Sequence, residues 1–123
     1  MASRQAIMSL ISNEGIAMSV NQSVIKKITK KILGVSQPDK IILFGSAVSG
    51  GMTKDSDIDL LILKSGEFRY IDEYVKVRRA LKDIAYPFDI LFMDTDKFER
   101  TKKLVGGIAY PAHRHGKIIY ASA

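Results

Sequence analysis

The chain has 123 residues, 46% hydrophobic and 26% charged, with 19 Lys and Arg against 13 Asp and Glu. That is enough for one domain with its own core, and no apolar run approaches the ~18 residues that a membrane span needs. Cysteine is absent, which excludes disulfides and thiolate metal sites and fits a cytoplasmic setting.

The first twenty residues carry a broken apolar pattern, interrupted by Ser9, Ser12, Asn13 and Glu14, that does not make a signal peptide. A helix over 3–14, with Ala6, Ile7, Leu10 and Ile11 on one side, is expected in an N-terminal extension, residues 1–20. The domain itself is expected over 21–123. Its first helix fits 21–33: Val24, Ile25, Ile28, Ile32 and Leu33 form the apolar face, and Lys26, Lys27, Lys30 and Lys31 the wet one. Gly34 ends it and Pro38 blocks a restart. The lysine face lacks stacking aromatics, so direct nucleic-acid contact is not expected there.

Lys40 to Phe44 is a short buried strand by length and β-branching, and Asp57 to Leu63 a second. Between them lie Gly50-Gly51 and room for a turn or two of helix. Tyr70, Tyr74, Val77, Leu81 and Ile84 then fall on one helical stripe, with Asp72, Glu73, Lys76, Arg79 and Asp83 facing elsewhere. Pro87 breaks the chain before a third strand, Phe88 to Met93. Asp96 with Glu99 reads as a capping box opening a helix over 97–109. His113-Arg114-His115, between Pro111 and Gly116, reads as a solvated turn rather than a metal site, since a histidine pair without a third ligand rarely makes one. Lys117 to Tyr120 is a last strand.

The most telling pattern is Gly45-Ser46, then ten residues, then Asp57-Ile58-Asp59. Alternation on a strand puts Asp57 and Asp59 on one face, about 6.6 Å apart at Cα. Asp89 shares its face with Leu91 and Met93, in a run where a carboxylate is costly to bury without something positive beside it. If the second and third strands are neighbours, three carboxylates converge and repel one another unless cations sit between them. Mg²⁺, hard and oxygen-seeking, is the natural occupant. Gly45 permits a sharp turn and a close amide approach to an anion, and Ser46 adds a hydroxyl and an N–H.

On these residues the chain resembles the minimal nucleotidyltransferases of the DNA polymerase β superfamily. That signature is Gly-Ser, about ten residues, Asp-x-Asp, then a later acidic residue, which Gly45-Ser46, Asp57-Ile58-Asp59 and Asp89 match without a gap. Lys-Ile-Ile-Leu before the turn, Ser56 before the first aspartate and Gly-Lys-Ile-Ile-Tyr near the end agree with it. The resemblance implies a single-domain α/β fold, a small mixed sheet with helices packed on one side. It implies Mg²⁺-dependent transfer of a nucleoside monophosphate, AMP in the first instance, from ATP or another triphosphate to a hydroxyl. Asp57, Asp59 and Asp89 would ligate two Mg²⁺ ions, with Asp89 also helping to deprotonate the acceptor. Gly45, Ser46, Lys54 and Ser56 would bind the nucleotide. Relatives often carry arginine in the loop after Gly-Ser; Ser49 stands there, and Lys54 is the nearest cation. Minimal members often act as antitoxins to a HEPN-type toxin, some by attaching AMP to it. A protein partner of that kind is therefore implied, with a contact-only binding module as the alternative and a homo-oligomer left open.

Overall fold

The structure, a computed structural model, describes residues 20–50, 52 and 56–122. The expected helix over 3–14, and the extension but for Val20, lie outside those residues. In chain order the elements are α1 (Gln22–Leu33), β1 (Lys40–Phe44), α2 (Ser46–Ser49), β2 (Ile58–Lys64), α3 (Tyr70–Ala80), β3 (Phe88–Asp94), α4 (Thr95–Thr101), α5 (Ala109–His115) and β4 (Lys117–Ala121).

The four strands form one mixed sheet in the order β3-β2-β1-β4. β1 pairs antiparallel with β2 and β4, while β2 and β3 run parallel, joined through α3. β2 is the central strand in every sense: Ile58 and Leu60 to Leu63 are fully buried. A strand covered on both faces reads as a continuous apolar run rather than an alternation, which is what Leu60-Leu61-Ile62-Leu63 shows.

One face, built from Ile41, Leu43, Ile58, Leu60, Ile62 and Ile90, is closed by α1 and α3. α1 presents Ile25, Ile28 and Ile32 to it. Asn21 caps α1, its side-chain oxygen accepting the Val24 N–H at 3.0 Å. Lys26, Lys27 and Lys30 stay in solvent as the pattern predicted, and Lys31 reaches Asp83 at 3.4 Å. The opposite face carries Ile42, Leu61 and Leu63, which need cover of their own, and they receive it from Phe98 of α4 and Ala109 and Ala112 of α5. The longer helices thus share one side, as the resemblance implies, but the sheet is not bare on the other.

The expected helix over 97–109 is instead two short helices with residues 102–108 between them. Gly106 and Gly107 adopt φ of 109° and 77°, left-handed values that no helix interior accommodates. The Asp96–Glu99 capping box does not form: Asp94 is the N-cap, without a side-chain bond, and Glu99 turns to Lys102 at 2.6 Å. Pro111 sits in the first turn of α5, where its missing N–H has no helical partner to lose. His113-Arg114-His115 is therefore helical, not a loop.

α3 differs from its stripe at two positions. Tyr70 is 52% exposed, edge-on to Phe68 with ring centroids 5.0 Å apart. Glu73, expected to face water, is buried against Ser36, whose hydroxyl donates to it at 2.7 Å, with Lys76 at 3.1 Å and Lys64 at 3.8 Å. Burial alone would raise its pKa, but the Ser36 bond and the two lysines outweigh that and hold it below the usual glutamate range. A depressed folded pKa contributes stability above the unfolded value and loses it as pH falls through the folded one. Glu73→Gln should therefore be less stable than wild type at neutral pH, by about 1–3 kcal/mol. Chemical denaturation from pH 7 to pH 3 should show that gap closing below the ordinary glutamate range; a pH-independent gap would assign the loss to packing.

Candidate active site

The parallel register of β2 and β3 sets Asp59 directly opposite Asp89. Asp57 precedes β2 by one residue, and the Ile58 N–H between the two aspartates donates to the Pro87 carbonyl at 2.9 Å, tying the start of β2 to the start of β3. The expectation that the two strands are neighbours is met. Asp57 and Asp89 are exposed and Asp59 is half-buried. Phe44, the last residue of β1, pairs with Asp59, so the turn that follows it emerges beside the carboxylates.

That turn needs glycine. Gly45 takes φ 74° and ψ −151°, and a Cβ placed on it would stand 2.1 Å from Asp59 Oδ2. Backbone conformation and space both forbid a side chain there. Ser46 then opens the single turn of α2, closed by the Val48 N–H on the Gly45 carbonyl at 3.0 Å and the Gly50 N–H on Ser46 at 3.1 Å. Ala47 anchors this turn in the core and its carbonyl accepts the Val20 N–H at 3.4 Å. Ser56 is half-buried just before Asp57, whereas Lys54 lies outside the described residues.

Arg78 was not singled out by the sequence. Its guanidinium donates to the Phe88 carbonyl at 3.2 Å and to the Tyr74 hydroxyl at 2.8 Å, fixing the backbone next to Asp89 from the α3 side. Nothing in the helical stripe marks it, because its partner is a main-chain atom ten residues away.

Burial pushes the Asp59 carboxyl above the ordinary aspartate range, and the charges of Asp89 and Asp57 push it further the same way. No lysine or arginine among the described residues forms an ion pair with any of the three. As they stand, no three Asp, Glu or His side chains among the described residues are spaced to hold a metal ion. The donor chemistry nevertheless suits a hard divalent cation: carboxylate oxygens on adjoining strands, with negative charge that no described residue pairs.

A raised folded pKa contributes stability only below the unfolded value and loses it as pH rises through the folded one, so Asp59 is a burden at neutral pH. In EDTA, Asp59→Asn should melt higher than wild type at pH 7, the difference shrinking toward pH 4. Differential scanning calorimetry checks this, and a lower melting temperature for the variant would mean that the Asp59 charge is compensated.

Comparison with known proteins bears on family and fold. Residues 25–122 match the family model described as polymerase beta, nucleotidyltransferase. Among sequences, the chain is 34% identical over 73 residues to caffeine-induced protein 16 of Schizosaccharomyces pombe, a match that takes in 59% of this chain and only 6% of the yeast protein. Among structures, it is similar to a toxin–antitoxin complex with AMP-PNP, with a TM-score of 0.60 at 18% identity over 80% of this chain and 73% of the other. A mutant of the MntA–HpeT toxin–antitoxin pair gives 0.60 at 17% over the same shares. A Sulfolobus solfataricus protein assigned to the nucleotidyltransferases gives 0.54 at 20%, over 80% and 78%. Likenesses at such identities establish the fold, and the family match covers most of the sequence: the chain belongs to the polymerase beta nucleotidyltransferase family.

Proposed function

We propose that the protein is a Mg²⁺-dependent nucleotidyltransferase that moves AMP from ATP to a hydroxyl on a partner protein, as the antitoxin of a toxin–antitoxin pair. The observation that carries this is the placement of Asp57, Asp59 and Asp89 at one end of two adjoining strands, beside a turn that only glycine can make. Two of the structures it resembles are toxin–antitoxin assemblies, one of them with AMP-PNP, which favours ATP as donor and a toxin-type partner as acceptor; that this partner is of the HEPN type rests on the sequence resemblance alone. Action in the cytoplasm fits this reading, and among the described residues no helix is long and apolar enough to cross a membrane.

In this reading Gly45 and Ser46 hold the β- and γ-phosphates, the glycine by close backbone approach and the serine through its hydroxyl and N–H. Ser56 and Lys54 complete the nucleotide contacts. Asp89 takes the proton of the acceptor hydroxyl as its oxygen bonds to the α-phosphorus, while the bond to the β-phosphate bridge breaks and pyrophosphate leaves with the electron pair. A pair of Mg²⁺ ions bound by Asp57, Asp59 and Asp89 would neutralise the charge on the attacking and leaving oxygens. Holding the acceptor hydroxyl in line can supply about 7–11 kcal/mol of the barrier. A docked partner supplies that positioning.

Ser49, standing where relatives often carry arginine, favours a second reading in which the protein neutralises its partner by contact, with a weak site. Mass spectrometry of a HEPN-type partner incubated with this protein, ATP and Mg²⁺ separates the two. AMP units added by wild type and not by Asp57→Asn support transfer. A tight complex without mass change supports contact alone, and efficient modification of a free small molecule would refute both. Loss of the Ser46 hydroxyl removes one charge-assisted hydrogen bond, worth about 1.5–3 kcal/mol. Ser46→Ala should thus bind triphosphate about tenfold or more weakly by calorimetry with its melting temperature kept; unchanged affinity would make the turn purely structural.

A further inference from the structure

Residues 97–117 hold six of the chain's 19 Lys and Arg but only one of its 13 Asp and Glu. Folding gathers part of that charge around one concavity. Lys102 and Lys103 beyond α4, with Tyr110, His113, Arg114 and His115 of α5, line a cavity of about 630 Å³. Every one of these six side chains is basic or a flat ring. None of the three site aspartates lines the cavity.

Among the described residues, the acidic group paired with a lining cation is Glu99, which meets Lys102 at 2.6 Å and Lys40 at 4.0 Å. Lys102 is thereby partly neutralised. Lys103 and Arg114 are exposed and remain as the cations turned to an incoming ligand. His113 is fixed edge-on to the buried Phe98 ring, centroids 6.4 Å apart, so the rim of the cavity is anchored to the core.

Cations alone would suit any anion. Cations interleaved with rings suit an anion that brings a planar group with it, since a base stacks on a π-face whereas a carboxylate by itself gains nothing from one. The exposed aliphatics Leu104 and Val105, which a protein partner would want to cover, lie outside this lining and border a separate, mostly apolar hollow. We propose that the α4–α5 cleft is a binding site for a nucleotide unit, phosphate plus base, separate from the carboxylate site and supplied by single-stranded RNA or by a free nucleotide. The sequence misses it because the lysine-rich stretch that draws the eye, α1, has no rings, whereas these rings meet their cations only once α4 and α5 have packed.

The inference does not rest on the transferase reading, and its test runs in EDTA without triphosphate so that the two can fail separately. The probe is a fluorescein-labelled ten-nucleotide single-stranded RNA, read by anisotropy. Saturable binding is expected, weakening roughly twentyfold between 50 and 200 mM NaCl if about three phosphates are contacted. Lys103→Glu with Arg114→Glu, both at exposed positions, should bind at least tenfold more weakly and with a flatter salt dependence. Glu99→Gln should bind severalfold more tightly. Tyr110→Phe should retain affinity that Tyr110→Ala loses. Displacement of the probe by AMP would assign the cleft to a single nucleotide, and displacement only by strands would assign it to RNA. The proposal is overturned by absence of binding to both, by equal affinity in the double charge variant, or by poly-glutamate displacing the probe as well as RNA does.

Discussion

The parallel pairing of β2 with β3 is the contact from which the rest of the site follows. It sets Asp59 against Asp89 in register, and the Ile58 N–H on the Pro87 carbonyl extends the ladder to where Asp57 begins. Placing like charges side by side is unfavourable, so the pairing must be driven by something else. The driver is apolar: Ile58, Leu60, Leu61, Ile62 and Leu63 lose all their exposure, each worth about 1.5–3 kcal/mol against leaving it in water. The repulsion is carried at the end of a strand whose remaining residues hold it in place.

Unequal cover of the sheet then decides where chemistry has access. α1 and α3, of 12 and 11 residues, close one face along its length. α4 and α5, of seven residues each, close only the part of the other face around Ile42, Leu61 and Leu63. Asp59 and Asp89 alternate with Leu61 and Leu91 on that second face, at its uncovered end.

Local chemistry was legible in the sequence, and partnership across the chain was not. The four strands and α1 came out within a residue, because β-branched runs, the apolar period of α1 and Gly34 declare themselves over a few positions. Alternation along β2 and β3 puts Asp59 and Asp89 on one face, and the register sets them opposite one another. Glu73 was misplaced because its helix position is polar by period, while Ser36 and Lys64, which make its burial tolerable, come from other elements. The helix over 97–109 was read from an Asp96–Glu99 capping box that does not form, and Gly106-Gly107 turns the chain between two helices. Arg78 was invisible for a similar reason, since a bond to a backbone carbonyl leaves no mark on residue spacing.

The carboxyl groups of the chain divide by what their surroundings do to them, and the division is informative about cations. Asp39 is lowered by hydrogen bonds from Ser65 and Thr95, Glu99 by its bond with Lys102, and Glu73 by Ser36 and its lysines despite burial. In each, the fold has furnished its own donors. Asp59 moves the other way, and each of the three influences on it, burial, Asp89 and Asp57, raises it. A fold that compensates its acids elsewhere, even at the buried Glu73, has the lysines to do so here and places none of the described ones in reach. α5, which carries Arg114, covers part of the same face of the sheet as Asp59 and Asp89, and Arg114 pairs with neither. Asp59 is thus the one of these four carboxyls that its described surroundings raise rather than lower.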